Sequence, residues 1–183
     1  MLTAVCHAPA TAQGPAAPPP IALAGQVELG RLLDLAAERR GLRVEYDAAA
    51  LKTTVTLRLP GEISDDELWS LVNQLLAARG LTTVRAAGSH AFSVVKLTDA
   101  AAVARIDDVV QANAGFQTVL VRLTHKTPKE AAEAVKLVLG RGGAGVAELP
   151  GTSLLLVSDL GPRIEQVETI LRLVDVPGPA VSL

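Results

Sequence analysis

Apolar positions repeat at helical spacing in four stretches of this chain, with short alternating runs between them. Residues 21–24 form a brief apolar run that reads as a strand. Over residues 27–40, Leu29, Leu32, Leu33 and Ala36 share one helical face, and Gly41 supplies the stop. Residues 43–46 alternate. In the next run Val55, Leu57 and Leu59 face one way while Thr54, Thr56 and Arg58 face the other, and Pro60-Gly61 ends it.

The best-specified helix follows. Ser64-Asp65-Asp66-Glu67 is a capping box: the serine hydroxyl accepts from an orphan helix N–H and the glutamate reaches back to the cap. Ile63 and Leu68 occupy the staple positions, and Asp65 and Asp66 suit the positive end of the helix dipole. Leu68, Leu71, Val72, Leu75 and Leu76 make the stripe expected to be buried, and Gly80 marks the end. Residues 81–85 and 91–95 then form a hairpin around Ala87-Gly88-Ser89.

The same helix-start device returns after a strand over residues 118–123. Thr127-Pro128-Lys129-Glu130 is a second capping box with proline at the first helical position, and Ala131, Ala134, Val135 and Val138 form the inner face. A glycine loop over 140–145 leads to a strand at 146–149. Pro150-Gly151 turns the chain, and residues 153–158 return as a strongly apolar strand. The last helix starts near Pro162, turns Ile164, Val167, Ile170, Leu171 and Val174 inward, and ends at Asp175-Val176-Pro177.

The fold class predicted from these elements is α+β, in two small tandem domains. Residues 21–95 read β-α-β-β-α-β-β. Residues 116–177 read as a KH-like β-α-β-β-α unit with both helices on one face of a small sheet. Residues 96–115 lack a clean period and are taken as a linker with few contacts, holding at most a short helix within 100–110. Residues 1–20 are a leader and linker that end in a stiff proline-rich stretch over 15–20, and residues 178–183 are a tail.

Composition narrows the function more than the fold. A formal charge of -2 and a pI near 5.9 provide no field that would recruit nucleic acid or an anionic membrane. Aromatics make up 2 %, so the cores must be aliphatic. Cys6 is the only cysteine, which rules out an intrachain disulfide and a cysteine-based metal site. No apolar run reaches the roughly 18 residues of a membrane-spanning helix. Ala10-Thr11-Ala12 matches the small-x-small site cut by signal peptidase, but no basic segment precedes it. An incomplete or mis-started signal peptide is the expectation.

Candidate chemistry thins out on inspection. Gly140-Arg141-Gly142-Gly143-Ala144-Gly145 is a literal G-x-G-x-x-G, but it follows a helix and precedes a strand, which presents the wrong dipole end to a pyrophosphate. Its G-x-x-G lies between helix and strand, whereas KH domains place theirs between two helices, so a flexible connection is expected. His7, His90 and His125 are far apart in sequence and pair with nothing at ligand spacing. No nucleophile–base constellation occurs, so no enzyme is expected and no catalytic, cofactor-binding or metal-ligating residue is assigned. Three residues are candidates for partner contact. Ile21 and Leu23 lie on a strand that can present an open edge, and Trp69 either covers a domain edge or anchors a partner.

Three patterns carry a family resemblance. Val27-Glu28-Leu29 through Leu33-Asp34-Leu35-Ala36 to Gly41-Leu42-Arg43-Val44-Glu45-Tyr46-Asp47 resembles the short N-terminal domain shared by secretins and TonB-dependent receptors. Val55-Thr56-Leu57-Arg58-Leu59 and residues 64–80 continue it. Residues 118–175 resemble the repeated secretin domain, in which a helix, an apolar strand and a helix ending in Leu/Val-Asp recur. Here those are residues 127–139, 153–157 and 164–175. The chain departs from the pattern at Gly151-Thr152, where the family often carries asparagine, and it ends at Leu183, where a secretin continues into further repeats and a β-barrel.

The resemblance implies a non-enzymatic periplasmic assembly module of a type II secretion or type IV pilus machine, without the pore-forming barrel and without a cofactor. It implies partners among secretin subunits, other secretion components and an inner-membrane platform protein, and packing in a ring, with no nucleic acid and no membrane span of its own. A signalling domain of the TonB-dependent transducer type, binding an anti-sigma regulator, is the alternative that the first domain alone would support.

Overall fold

The computed structural model describes residues 24–177 apart from Pro60, Ala112 and Arg141. Its first described strand, β1 (Ala24–Glu28), takes Val27 out of the helix expected over 27–40, and residues 21–23 of the strand expected at 21–24 lie outside the described residues. Helix α1 (Leu29–Arg39) buries Leu29, Leu32, Leu33 and Ala36, as their spacing requires, and Ala37 beside them. It ends in a Schellman turn: Gly41 sits at φ 63, its N–H reaches the Glu38 carbonyl at 3.0 Å, and the Leu42 N–H reaches Ala37 at 2.8 Å.

Strand β2 (Val44–Glu45) is short, and β3 (Thr54–Arg58) alternates cleanly, with Val55 and Leu57 buried and Thr54, Thr56 and Arg58 exposed. Helix α2 (Asp65–Ala77) starts on the predicted capping box, with the Ser64 hydroxyl accepting from the Glu67 N–H at 3.2 Å and the Glu67 carboxylate accepting from the Ser64 N–H at 2.9 Å. Strands β4 (Leu81–Arg85) and β5 (Phe92–Lys96) form the hairpin. The element order of this half is β-α-β-β-α-β-β. Its strands form two sheets: β1 pairs antiparallel with β3, while β2 lies parallel to β5 in the order β2-β5-β4.

The buried stripe of α2 differs by a small rotation from the one the leucines suggest. Leu68, Trp69, Val72, Asn73 and Leu76 are buried, whereas Leu71 and Leu75 are only partly so. Trp69 and Asn73 take the inner face instead, Trp69 against Phe92 of β5 and Asn73 against Thr83 of β4 and Asn113. Arg39 and Asp65, at 2.5 Å, and the ion pair Arg40–Asp66 tie α1 to the first turn of α2.

Residues 96–115 are more structured than their composition suggests. Helix α3 (Ala100–Val103) is a single turn, and β6 (Ile106–Asp107) pairs parallel with β7 (Phe116–Arg122). Then come α4 (Pro128–Val135), β8 (Gly145–Glu148), β9 (Leu154–Leu160) and α5 (Gly161–Val174). The sheet order is β6-β7-β9-β8, so the connection supplies an edge strand to the second half. Both α4 and α5 pack on the sheet face that carries Val119, Leu155 and Val157. Helix α4 stops at Val135, short of Leu139, and Ala132 rather than Ala134 joins Ala131 and Val135 inside.

Candidate functional site

Trp69 is the sequence candidate that the structure locates most clearly. It is 2 % exposed and meets the Phe92 ring edge to face at 5.5 Å. It packs as a core residue. The reason is local: position 69 of α2 faces Phe92 of β5 within the first core, where apolar surface covers the indole. Ile21 and Leu23 lie outside the described residues, as do Cys6, His7, the leader over 1–20 and the tail over 178–183. The strand that follows them, β1, pairs only with β3, so this two-stranded sheet has an unpaired edge on each strand among the described residues.

The two halves meet through a polar and close-packed junction. The Thr83 hydroxyl donates to Asn73 Oδ1 at 2.6 Å, and Asn73 Nδ2 donates to the carbonyls of Trp69 at 3.1 Å and Asn113 at 3.4 Å. Gly115 packs on this pair. A Cβ there would lie 2.3 Å from both the Thr83 carbonyl oxygen and its Oγ1. Beside it Val84, Ala100 and Phe116 form a small apolar cluster flanked by Val95, Leu97, Ala104 and Leu160. No sequence period pointed to these residues. The one available signal was an asparagine inside the inward stripe of a helix.

The glycine loop after α4 is held rather than loose. The carboxylate of Asp159, itself 2 % exposed, accepts from the Gly140 N–H and the Leu160 N–H, both at 2.7 Å. Gly143, at φ 101, approaches the Leu97 carbonyl so closely that a Cβ would lie 2.2 Å from it. That contact accounts for a glycine without any phosphate, and Arg141 lies outside the described residues. At the other end of the second half, Asp175 closes α5 onto the loop before α4. Its carboxylate accepts from the N–H groups of Thr124, His125 and Lys126 at 2.7, 2.7 and 2.8 Å. Those three bonds hold its pKa below the usual carboxylate value.

The second capping box forms as its spacing requires. Thr127 Oγ1 accepts from the Glu130 N–H at 3.3 Å, and Glu130 accepts from the Thr127 N–H at 3.0 Å. Several large apolar side chains are exposed among the described residues of the second half and the connection. Leu137 after α4 is 96 % exposed and Leu173 on α5 is 72 % exposed, while Ile106 and Val109 project from the connection. His90 and His125 are exposed in separate loops. Among the described residues no helix is long and apolar enough to cross a membrane.

Residues 118–180 match the family described as the bacterial type II/III secretion system short domain, Secretin_N. No curated protein matches the chain. Among solved structures, the outer-membrane complex of the Klebsiella pneumoniae type II secretion system, with PulD, PulS and the PulC HR domain, is similar at TM-score 0.59 and 18% identity, covering 82% of this chain and 26% of that one. The N-terminal domain of the secretin XcpQ from Pseudomonas aeruginosa aligns at TM-score 0.34 and 17% identity, over 85% of this chain and 64% of that one. The type IV competence pilus secretin PilQ of V. cholerae aligns at TM-score 0.29 and 16% identity, over 85% and 37%. This chain thus spans about a quarter of the Klebsiella chain, and the likeness to it is one of fold. Residues 118–180 thus match the Secretin_N family, and the fold of the chain is similar to part of the Klebsiella complex.

Proposed function

We propose that this chain is a non-enzymatic, periplasmic assembly module of a secretin-type export machine of the type II secretion or type IV pilus kind. The Secretin_N match over residues 118–180 carries this reading. Two features of the surface support it: the open edges of the β1–β3 sheet, which can accept an added strand, and the exposed Leu137 and Leu173 on the helical side of the second half. Its partners are other secretin subunits and an inner-membrane component. The Klebsiella complex, in which PulD is found with PulS and the PulC HR domain, offers the pattern. The two halves, residues 21–95 and 116–177, are the units that make these contacts, with 96–115 joining them.

Size-exclusion chromatography with light scattering tests this, on the chain alone and mixed with the periplasmic regions of the host's secretin and inner-membrane component. A complex of higher mass with at least one of them is expected. A strict monomer that binds neither overturns the proposal.

A further inference from the structure

Between the first core and the connection lies a cleft of about 430 Å³. Its floor is apolar, made of the crossed rings of Trp69 and Phe92 with Leu42 beside them. Its charged lining is unequal: Arg40 and Arg85 against the single carboxylate of Asp66. Arg40 is taken by Asp66. Arg85 is not matched in this way. Among the described residues no carboxylate lies within ion-pair distance of it, and its guanidinium stands over the Phe92 ring, 4.7 Å from the centroid.

The main chain under Arg85 is fixed on both sides. The residue pairs with Phe92 across the β4–β5 ladder, and its carbonyl accepts from the Arg105 N–H at 2.8 Å. A half-buried guanidinium, held over an aromatic ring and lacking an acidic partner, is preorganised for a carboxylate, which matches its fork of N–H donors.

We propose that this cleft binds an acidic side chain of a partner polypeptide, with the carboxylate on Arg85 and Arg40. Asp66 acts as an internal competitor: it occupies Arg40 until a stronger acidic ligand arrives. The proposal rests on the assembly reading for the nature of the partner, and on the cleft alone for its chemistry.

Trp69 is the only tryptophan of the chain and lines the cleft, so its emission reports occupancy directly. The probe is a blocked tetrapeptide, acetyl-glycyl-glutamyl-leucyl-glycinamide, against its glutamine counterpart. The glutamate peptide should change Trp69 emission saturably and bind about tenfold tighter than the glutamine peptide, as expected for charge-assisted bonds. Arg85→Gln should erase that difference. Asp66→Asn should tighten the glutamate peptide several-fold, a gain that misfolding cannot mimic. Equal binding of both peptides, absence of a saturable response, or an Asp66→Asn protein that binds no better overturns the site. If the chain still enters a secretin complex after such a result, only this site falls. If the peptide binds but no complex forms, only the assembly reading falls.

Discussion

Adding one methyl group at Gly115 should damage the junction between the two halves more than any neighbouring change of that size. A Cβ at this position would sit 2.3 Å from the Thr83 carbonyl oxygen and Thr83 Oγ1, and 2.8 Å from Asn73 Oδ1. The first contact is about 0.7 Å short of the 3.0 Å that real Cβ atoms respect, and one of the crowded atoms is backbone, which cannot rotate away. Relieving the clash means moving β4 from β7 or breaking the Thr83–Asn73 hydrogen bond. Overpacking of this kind costs about 1–3 kcal/mol. Leaving buried Asn73 without its Thr83 partner costs about 1–3 kcal/mol more. Gly115→Ala should therefore lose about 2–6 kcal/mol in all, a large share of the 5–15 kcal/mol typical of a folded domain. Urea unfolding followed by Trp69 fluorescence measures it. Gly145→Ala is the control, since its Cβ would meet nothing within 4 Å and its φ is not positive, and it should stay within about 0.5 kcal/mol of wild type. A Gly115→Ala protein as stable as the Gly145→Ala control would refute the packing argument.

Other expected outcomes follow from the caps, the core and the carboxylates. Ser64→Ala and Thr127→Ala should each cost about 1 kcal/mol in urea unfolding, because each removes the acceptor for an orphan helix N–H. Leu76→Ala, at a position with 0 % exposure, should cost about 2–5 kcal/mol, and Leu75→Ala clearly less, since Leu75 sits at the margin of the core. Three carboxylates have folded pKa values lowered by hydrogen bonds: Glu67 by the Ser64 hydroxyl and N–H, Glu130 by the Thr127 N–H and hydroxyl, and Asp175 by the N–H groups of Thr124, Lys126 and His125. The unfolded chain binds the proton first, so their contribution is present above the ordinary values of 4.5 and 3.8 and is lost as pH falls through the lowered folded values. Thermal midpoints should drop through that acid window, and Asp175→Asn should flatten the drop. An acid limb unchanged in Asp175→Asn would remove the loop-closing role given to that residue.

What the chain revealed in advance depended on how each element is specified. Both capping boxes, the glycine stop at Gly41 and the alternation of β3 are local devices, written in residues a few positions apart, and they form as expected. The inner stripe of α2 is rotated slightly from the one its leucines mark, because it contains Asn73, which counts as polar in any hydrophobic period, and Trp69 in place of a leucine. The junction was hidden for the same reason. Asn73, Thr83, Asn113 and Gly115 are small or polar, and what makes them a core is proximity across 40 residues of chain, as in the bond from Asn73 to Asn113. The β6 edge strand was hidden because two residues, Ile106 and Asp107, cannot show a period. Glycine patterns were ambiguous in the opposite direction: Gly140–Gly145 looks like a phosphate loop, but its glycines answer to the Asp159 clamp and the Leu97 carbonyl.

Native electrophoresis of the tagged chain, extracted from the bacterial envelope in mild detergent, tests the assembly role most directly. It should be run in cells with the secretin of the machine and in cells lacking it. The chain is predicted to migrate at the mass of the multimeric complex when the secretin is present. It should collapse to a species near its own 18.9 kDa, or to a small oligomer, when the secretin is deleted. Migration as the same small species in both strains, with the secretin complex intact in the first, would contradict it.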